Sequence, residues 1–101
     1  MSSTSSEWRS INMYLISQNG RLIANMDNIA DVYIHPVGYM YDGENHITHW
    51  DIMATYPAVF EDSLCALLAE YNEHEEEKCV KQFEAFKKAL LAEEKFFDFG
   101  R

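Results

Sequence analysis

Four histidines are the residues of this sequence whose chemistry most readily suggests a site. His46 and His49 stand three positions apart, with Glu44 and Asp51 beside them. Imidazole nitrogen and carboxylate oxygen are ordinary ligands for a divalent metal. Such a centre needs three or four ligands in a defined geometry, oriented by a further layer of hydrogen bonds. Side chains on a strand alternate with a period of two, so residues three apart point to opposite faces. The two imidazoles converge only if the strand begins after His46 or contains a bulge. They are therefore read as turn or strand histidines, and no metal or cofactor is assigned. His35 precedes Pro36, which holds the backbone extended and implies no chemistry. His74 lies among glutamates and is expected to face solvent.

Nucleophilic catalysis needs a cysteine or serine oriented by a base. Cys65 and Cys79 both lie in apolar patterns and are expected to be reduced, buried thiols. Ser17 and Ser63 have no GxSxG elbow around them. The carboxylate pairs Asp27/Asp31, Asp42/Glu44 and Glu61/Asp62 are ordinary surface for a chain whose net charge is −9. The four glycines form no phosphate-cradling loop. No catalytic residue is assigned, and the chain is expected not to be an enzyme. Aromatic residues remain. Tyr33, Tyr39, Tyr41 and Trp50 gather in the strand-forming region and make the candidate partner surface, since aromatic side chains anchor protein interfaces. The competing reading is core packing and cross-strand pairing.

The length of 101 residues fits one domain with a modest core. Residues 1–72 hold two cations against nine acids, a balance of −7; residues 73–101 hold six against eight, a balance of −2. The acidic excess argues against direct nucleic-acid binding, which depends on clustered Lys and Arg. No apolar run approaches the roughly 18–20 residues of a membrane helix. The opening MSSTSSEWRS lacks the apolar stretch of a signal peptide, so a cytoplasmic location is expected. Two cysteines are too few for a secreted disulfide scaffold.

The elements that must position these residues are mostly strands. Residues 1–12 read as a flexible Ser/Thr-rich tail, and 13–101 as a single α+β domain. Met13–Ser17 and Arg21–Ala24 flank Asn19-Gly20, a strong hairpin signal, because a type I′ turn needs positive φ at both positions. Ile29–His35 alternates, with Ala30, Val32 and Ile34 opposite Asp31, Tyr33 and His35. Pro36 bars central-strand pairing at its own position. Val37–Tyr41 continues the strand or begins another, and Asp42-Gly43 turns the chain. Ile47–Tyr56 is the longest candidate strand, closed by Pro57.

Residues 63–71 fit either a helical face or an alternating strand, and propensity alone favours helix. With alternation, Cys65, Leu67, Ala69 and Tyr71 share a side. Residues 73–94 form the clearest element: a helix opened by Asn72 and Glu75 as a capping box. Cys79, Val80, Phe83, Phe86 and Leu90 make its apolar stripe. Glu77–Lys81 and Glu84–Lys88 are spaced as i,i+4 pairs. Lys95–Phe99 is too aromatic for a free end and is expected to return as a short edge strand.

Met13-Tyr-Leu-Ile-Ser-Gln-Asn-Gly20, followed by Ile23-Ala-Asn-Met-Asp-Asn-Ile29, resembles the opening of a group of small uncharacterised proteins of Firmicutes bacteria and their phages. Leu68-Ala69-Glu70-Tyr71, the acidic Glu73–Cys79 and the aromatic Lys95–Phe99 match later stretches of that group. The match covers about residues 13–99. This chain departs in carrying Ala69 where the group has Gly, and a longer insertion around Pro57–Asp62. The resemblance implies a strand at 64–71, paired with 47–56 across the loop Pro57–Ser63. It implies no activity, cofactor or catalytic residue. The expected fold is α+β: an antiparallel meander of five to six strands with one long C-terminal helix on one face. The expected function is that of a small non-enzymatic interaction or accessory protein of the kind phages and mobile elements encode. It would engage an unidentified protein partner, or a second copy through a sheet edge or the aromatic face. The alternative is an acidic nucleic-acid mimic that occupies a basic groove on a host enzyme.

Overall fold

The computed structural model describes residues 13–57 and 65–101. In chain order these form β1 (Tyr14–Ile16), β2 (Ile23–Asn25), a 3-10 turn (Met26–Asn28), β3 (Asp31–Tyr41), β4 (Glu44–Thr55), β5 (Cys65–Asn72), α1 (Glu76–Leu91) and β6 (Phe96–Asp98). The fold is α+β, with a meander and a C-terminal helix packed against the strands. The expected tail, 1–12, lies outside the described residues, as do residues 58–64 of the loop after β4.

The strands divide into two three-stranded sheets, β2-β1-β6 and β3-β4-β5. Only the second is the meander. In the first, the aromatic tail returns parallel to β1, pairing Tyr14 with Phe96 and Ile16 with Asp98. A backbone bond ties the sheets, Gln18 N donating to Leu68 O at 2.7 Å, while Ala30 N donates to Thr55 O at 2.7 Å and extends the β3–β4 ladder.

The two Gly-containing turns differ from each other. Asp42 and Gly43 both have positive φ, 55° and 78°, and link Tyr41 directly to Glu44 as a two-residue hairpin of the I′ kind. At Asn19-Gly20 only the glycine is left-handed, φ 74°. A longer loop closes there through Gly20 N to Ser17 O and Ser17 N to Leu22 O, both 2.9 Å. Ser17 Oγ accepts from Leu22 N, and Asn19 Oδ1 accepts from Arg21 N, so side chains satisfy the turn instead of a second left-handed residue.

Pro36 is accommodated because β3 is an edge strand of its sheet. The segment that propensity would make helical is strand β5, since it completes the sheet beside β4. Its register slips by one between the pairs Ile52↔Ala69 and Met53↔Leu67, leaving Leu68 as the extra residue. The bulge switches the face on which the residues beyond it lie. Leu68, Ala69 and Tyr71 are buried, while Cys65 and Leu67 are exposed. The expected common side for Cys65, Leu67, Ala69 and Tyr71 is thereby split, and Cys65 is not a core thiol.

The helix is shorter than expected at both ends. Asn72 and Glu75 do not cap the helix as expected: Asn72 Oδ1 accepts from His74 N at 2.9 Å, and the Glu75 carboxylate accepts from Asn72 N at 3.0 Å. This box closes the turn before α1, whose N-cap residue, Glu75, makes no side-chain cap bond. At the other end Glu93 adopts φ 57°, and Glu94 N donates back to Ala89 O at 3.0 Å, a Schellman-type stop. Cys79 and Phe86 are buried and Val80 is exposed. The surface ion pairs are i,i+3, Glu75–Lys78 at 3.1 Å and Glu84–Lys87 at 2.8 Å, in place of the expected i,i+4 pairs. Phe86 packs on Phe83, Phe97 and Phe99 with ring centroids 5.6–6.3 Å apart, joining the helix to β6. With Met13, Leu15, Ile52, Leu68 and Cys79, these rings form one core.

Candidate functional site

The sheet face turned away from the helix carries most of the chemistry in the chain. Alternation along β3 places Tyr33, His35, Val37, Tyr39 and Tyr41 on it. On β4 the pairing runs His35↔Asp51 and Val37↔His49, then Gly38↔Ile47 and Tyr39↔His46. Thr48 is the extra residue. Directly opposed residues share a face, so this bulge brings both His46 and His49 to the side of Tyr39 and Val37. The sequence allows convergence only if the strand begins after His46 or contains a bulge; β4 begins at Glu44, and the bulge is present.

Gly38 makes it possible. A Cβ at that position would lie 2.1 Å from His46 O and 2.9 Å from His46 C, inside the backbone of β4. No other residue type allows the strands to approach so closely there.

Beyond the bulge the hairpin extends past β5, whose pairing ends at His49↔Asn72. Tyr39 and Tyr41 are 58% and 68% exposed at this tip. The His46 ring stacks on Tyr39 at 5.3 Å and meets Tyr41 at 6.1 Å. Tyr33 lies further along the same face, edge-on to His35 at 6.3 Å. Trp50 does not join them. It pairs with the buried Tyr71 on the helix side, and its indole Nε1 donates to Glu73 O at 3.4 Å. Three of the four aromatic candidates thus share a face, and the fourth braces the start of the helix.

Between the tyrosines lies a polar cluster. His49 Nε2 is 3.7 Å from Asp51 Oδ1 and 3.8 Å from Glu70 Oε2. Asp51 is only 9% exposed, and its Oδ1 is buried with no hydrogen-bond partner among the described residues. Burial pushes the Asp51 carboxyl above the usual carboxylate range; His49 and His35 pull it back and Glu70 adds to the rise. On the other side of the ring, His49 Nδ1 lies 3.0 Å from Thr48 Oγ1, which itself donates to Val37 O at 3.1 Å. The hydroxyl has one hydrogen, already given to Val37, so it accepts from the ring Nδ1–H. In the neutral imidazole Nε2 then carries a lone pair, directed at two carboxylates.

His46 and His49, read from the sequence as separate turn or strand histidines, lie on one face but in different surroundings. His46 belongs to the tyrosine tip, and Glu70 of β5 takes the remaining place beside His49. Sequence spacing misses Glu70 because it is 19 residues from Asp51 and meets it only through strand register, Asp51↔Glu70. His74 lies outside the face, exposed, 3.6 Å from Glu73. Cys79 is fully buried under the helix, its thiol pushed up by burial first and by Asp51 and Glu76 next. No family profile, curated protein or solved structure matches the chain.

Proposed function

We propose that this chain is a small non-enzymatic interaction protein that presents the helix-free face of β3-β4-β5 to a basic protein partner. One observation carries the reading: strand alternation, together with the Thr48 bulge that adds His46, gathers Tyr33, Tyr39, Tyr41, His46 and the His49–Asp51–Glu70 cluster on one face. Residues 22–77, which include all of that sheet's described strands, contain no Lys or Arg. Exposed tyrosines supply rigid contact area at low entropic cost, and the carboxylates choose the partner's sign. A second copy docking by the same face would set like charges against each other, so the favoured partner is a different protein.

Capture from a lysate of the source cell, followed by mass spectrometry, tests this. A basic protein should be retained by the wild-type chain and lost with Tyr39→Ala/Tyr41→Ala, while both chains melt alike. Equal retention by both would remove the tip from the account. The Lys- and Arg-free stretch also favours a narrower reading, that of a nucleic-acid mimic in a host enzyme's basic groove. Such a complex should weaken steeply between low and high salt and be displaced by DNA or RNA. A salt-insensitive complex would exclude it.

A further inference from the structure

We infer that His49, Asp51 and Glu70 form a binding site for a divalent transition-metal ion, zinc being the probe of choice. Three observations converge on it. The ligand atoms of the three residues lie within 4.8 Å of one another. Atoms separated by 3.7 Å, 3.8 Å and at most 4.8 Å share a point no more than about 2.4 Å from each, near the ~2.0–2.2 Å of zinc bonds to imidazole and carboxylate.

The second observation is Asp51 Oδ1. It is the oxygen that faces His49, and it is buried with no hydrogen-bond partner among the described residues. Buried carboxylate oxygens are almost always satisfied, and one that is not points to a missing partner of positive charge. At 3.7 Å and 3.8 Å both carboxylates stand beyond hydrogen-bond distance of His49 Nε2, so a proton there would make only a long ion pair and leave Oδ1 without a hydrogen bond.

The third is the orientation of the ring. Val37 O fixes the Thr48 hydroxyl, the hydroxyl fixes Nδ1–H, and Nε2 is left as a bare donor atom aimed at the carboxylates. Metal-ligating histidines are held in this way, by a hydrogen bond to the nitrogen that does not bind the ion. One nitrogen with two carboxylates suits zinc or manganese over magnesium or calcium, which prefer all-oxygen shells. Three protein ligands leave a coordination position for water or for a group brought by a partner.

Isothermal titration of the metal-stripped full-length chain with zinc chloride tests the site, with a thermal melt of each sample beside it. The expected result is one saturable site and a higher melting temperature. Magnesium and calcium at the same concentration should leave the melt unchanged. Glu70→Gln, at a half-exposed position that leaves the fold intact, should weaken zinc binding by more than about ten-fold, as should His49→Ala. His74→Ala should bind as wild type does. The inference is overturned by no saturable binding, by Glu70→Gln binding zinc like wild type, or by calcium stabilising the chain equally.

Discussion

Replacing Gly38 with alanine attacks the feature on which the whole face depends. The new methyl carbon would lie 2.1 Å from His46 O, 2.9 Å from His46 C and 3.0 Å from Ile47 Cα. All three atoms are backbone, so no rotamer change relieves the clash. A carbon-to-carbonyl contact is comfortable at about 3.3 Å or more, so β4 must retreat by about 1 Å or lose the Gly38↔Ile47 pair. Overpacking of this kind costs about 1–3 kcal/mol, and alanine recovers about 0.5–1 kcal/mol of the backbone entropy that glycine loses in a strand. A clash with three backbone atoms sits at the upper end of that range, so the net loss is about 2 kcal/mol. For a domain of this size that lowers Tm by about 8–16 °C. The damage should be local first, because residues 38–47 extend beyond the pairing of β5. Amide exchange across Tyr39–Ile47 should accelerate by about ten-fold or more, with Leu15 and Ile52 in the core much less affected. Gly43→Ala is the comparison. That position is left-handed, φ 78°, but open, so it tests strain without a clash. A Gly38→Ala chain that melts within about 2 °C of wild type, with unchanged exchange in the hairpin, would refute the close approach and the bulge built on it.

Further outcomes rest on the packing and the charges. Phe86→Ala removes a ring that is 3% exposed and touches Phe83, Phe97 and Phe99, so urea denaturation should show a loss of about 3–5 kcal/mol and release of β6. Cys65 should react quickly with a thiol reagent and Cys79 only as the chain unfolds, because Cys65 is exposed and Cys79 is buried with its thiol held protonated. Simultaneous labelling of both in native buffer would contradict the packing of α1. The Glu75 carboxyl is held below its usual 4.5 by the Asn72 backbone N–H and then by Lys78. A depressed folded value means this stabilisation is full above about pH 4.5 and lost as pH falls through the lower folded value. Glu75→Gln should therefore destabilise the chain at pH 7 and flatten the acid side of its stability profile. A profile parallel to wild type down to pH 3 would remove the box from the account.

Local signals in the sequence carried the strands, the helix and the edge position of Pro36. They carried less wherever a long-range pairing set the answer. Asp42-Gly43 and Asn19-Gly20 look alike, yet only the first is a two-residue I′ turn; at the second, Ser17 and Asn19 side chains hold a wider loop. Periodicity could not place Cys65 outside the core, since the slip at Leu68 belongs to the pairing of β5 with β4. The i,i+4 pairs of α1 gave way to i,i+3 contacts because exposed side chains choose among several neighbours at little cost. Five to six strands were legible as one antiparallel meander, but not their division between two sheets or the parallel pairing of β6 with β1. The site shows the same division. Four histidines and the aromatic residues were visible as candidates. Their assembly needed the bulge opposite Gly38, and the cluster needed Glu70 from a third strand.

The central claim is that the helix-free face is where this chain meets its partner. Photo-crosslinking in the source cell measures that contact directly. A benzophenone amino acid placed at Tyr39 reports the face, and the same group at Lys88 on the exposed side of α1 serves as reference. The account predicts a discrete crosslinked species from position 39 and none from position 88. Crosslinks from position 88 with none from position 39 would contradict it.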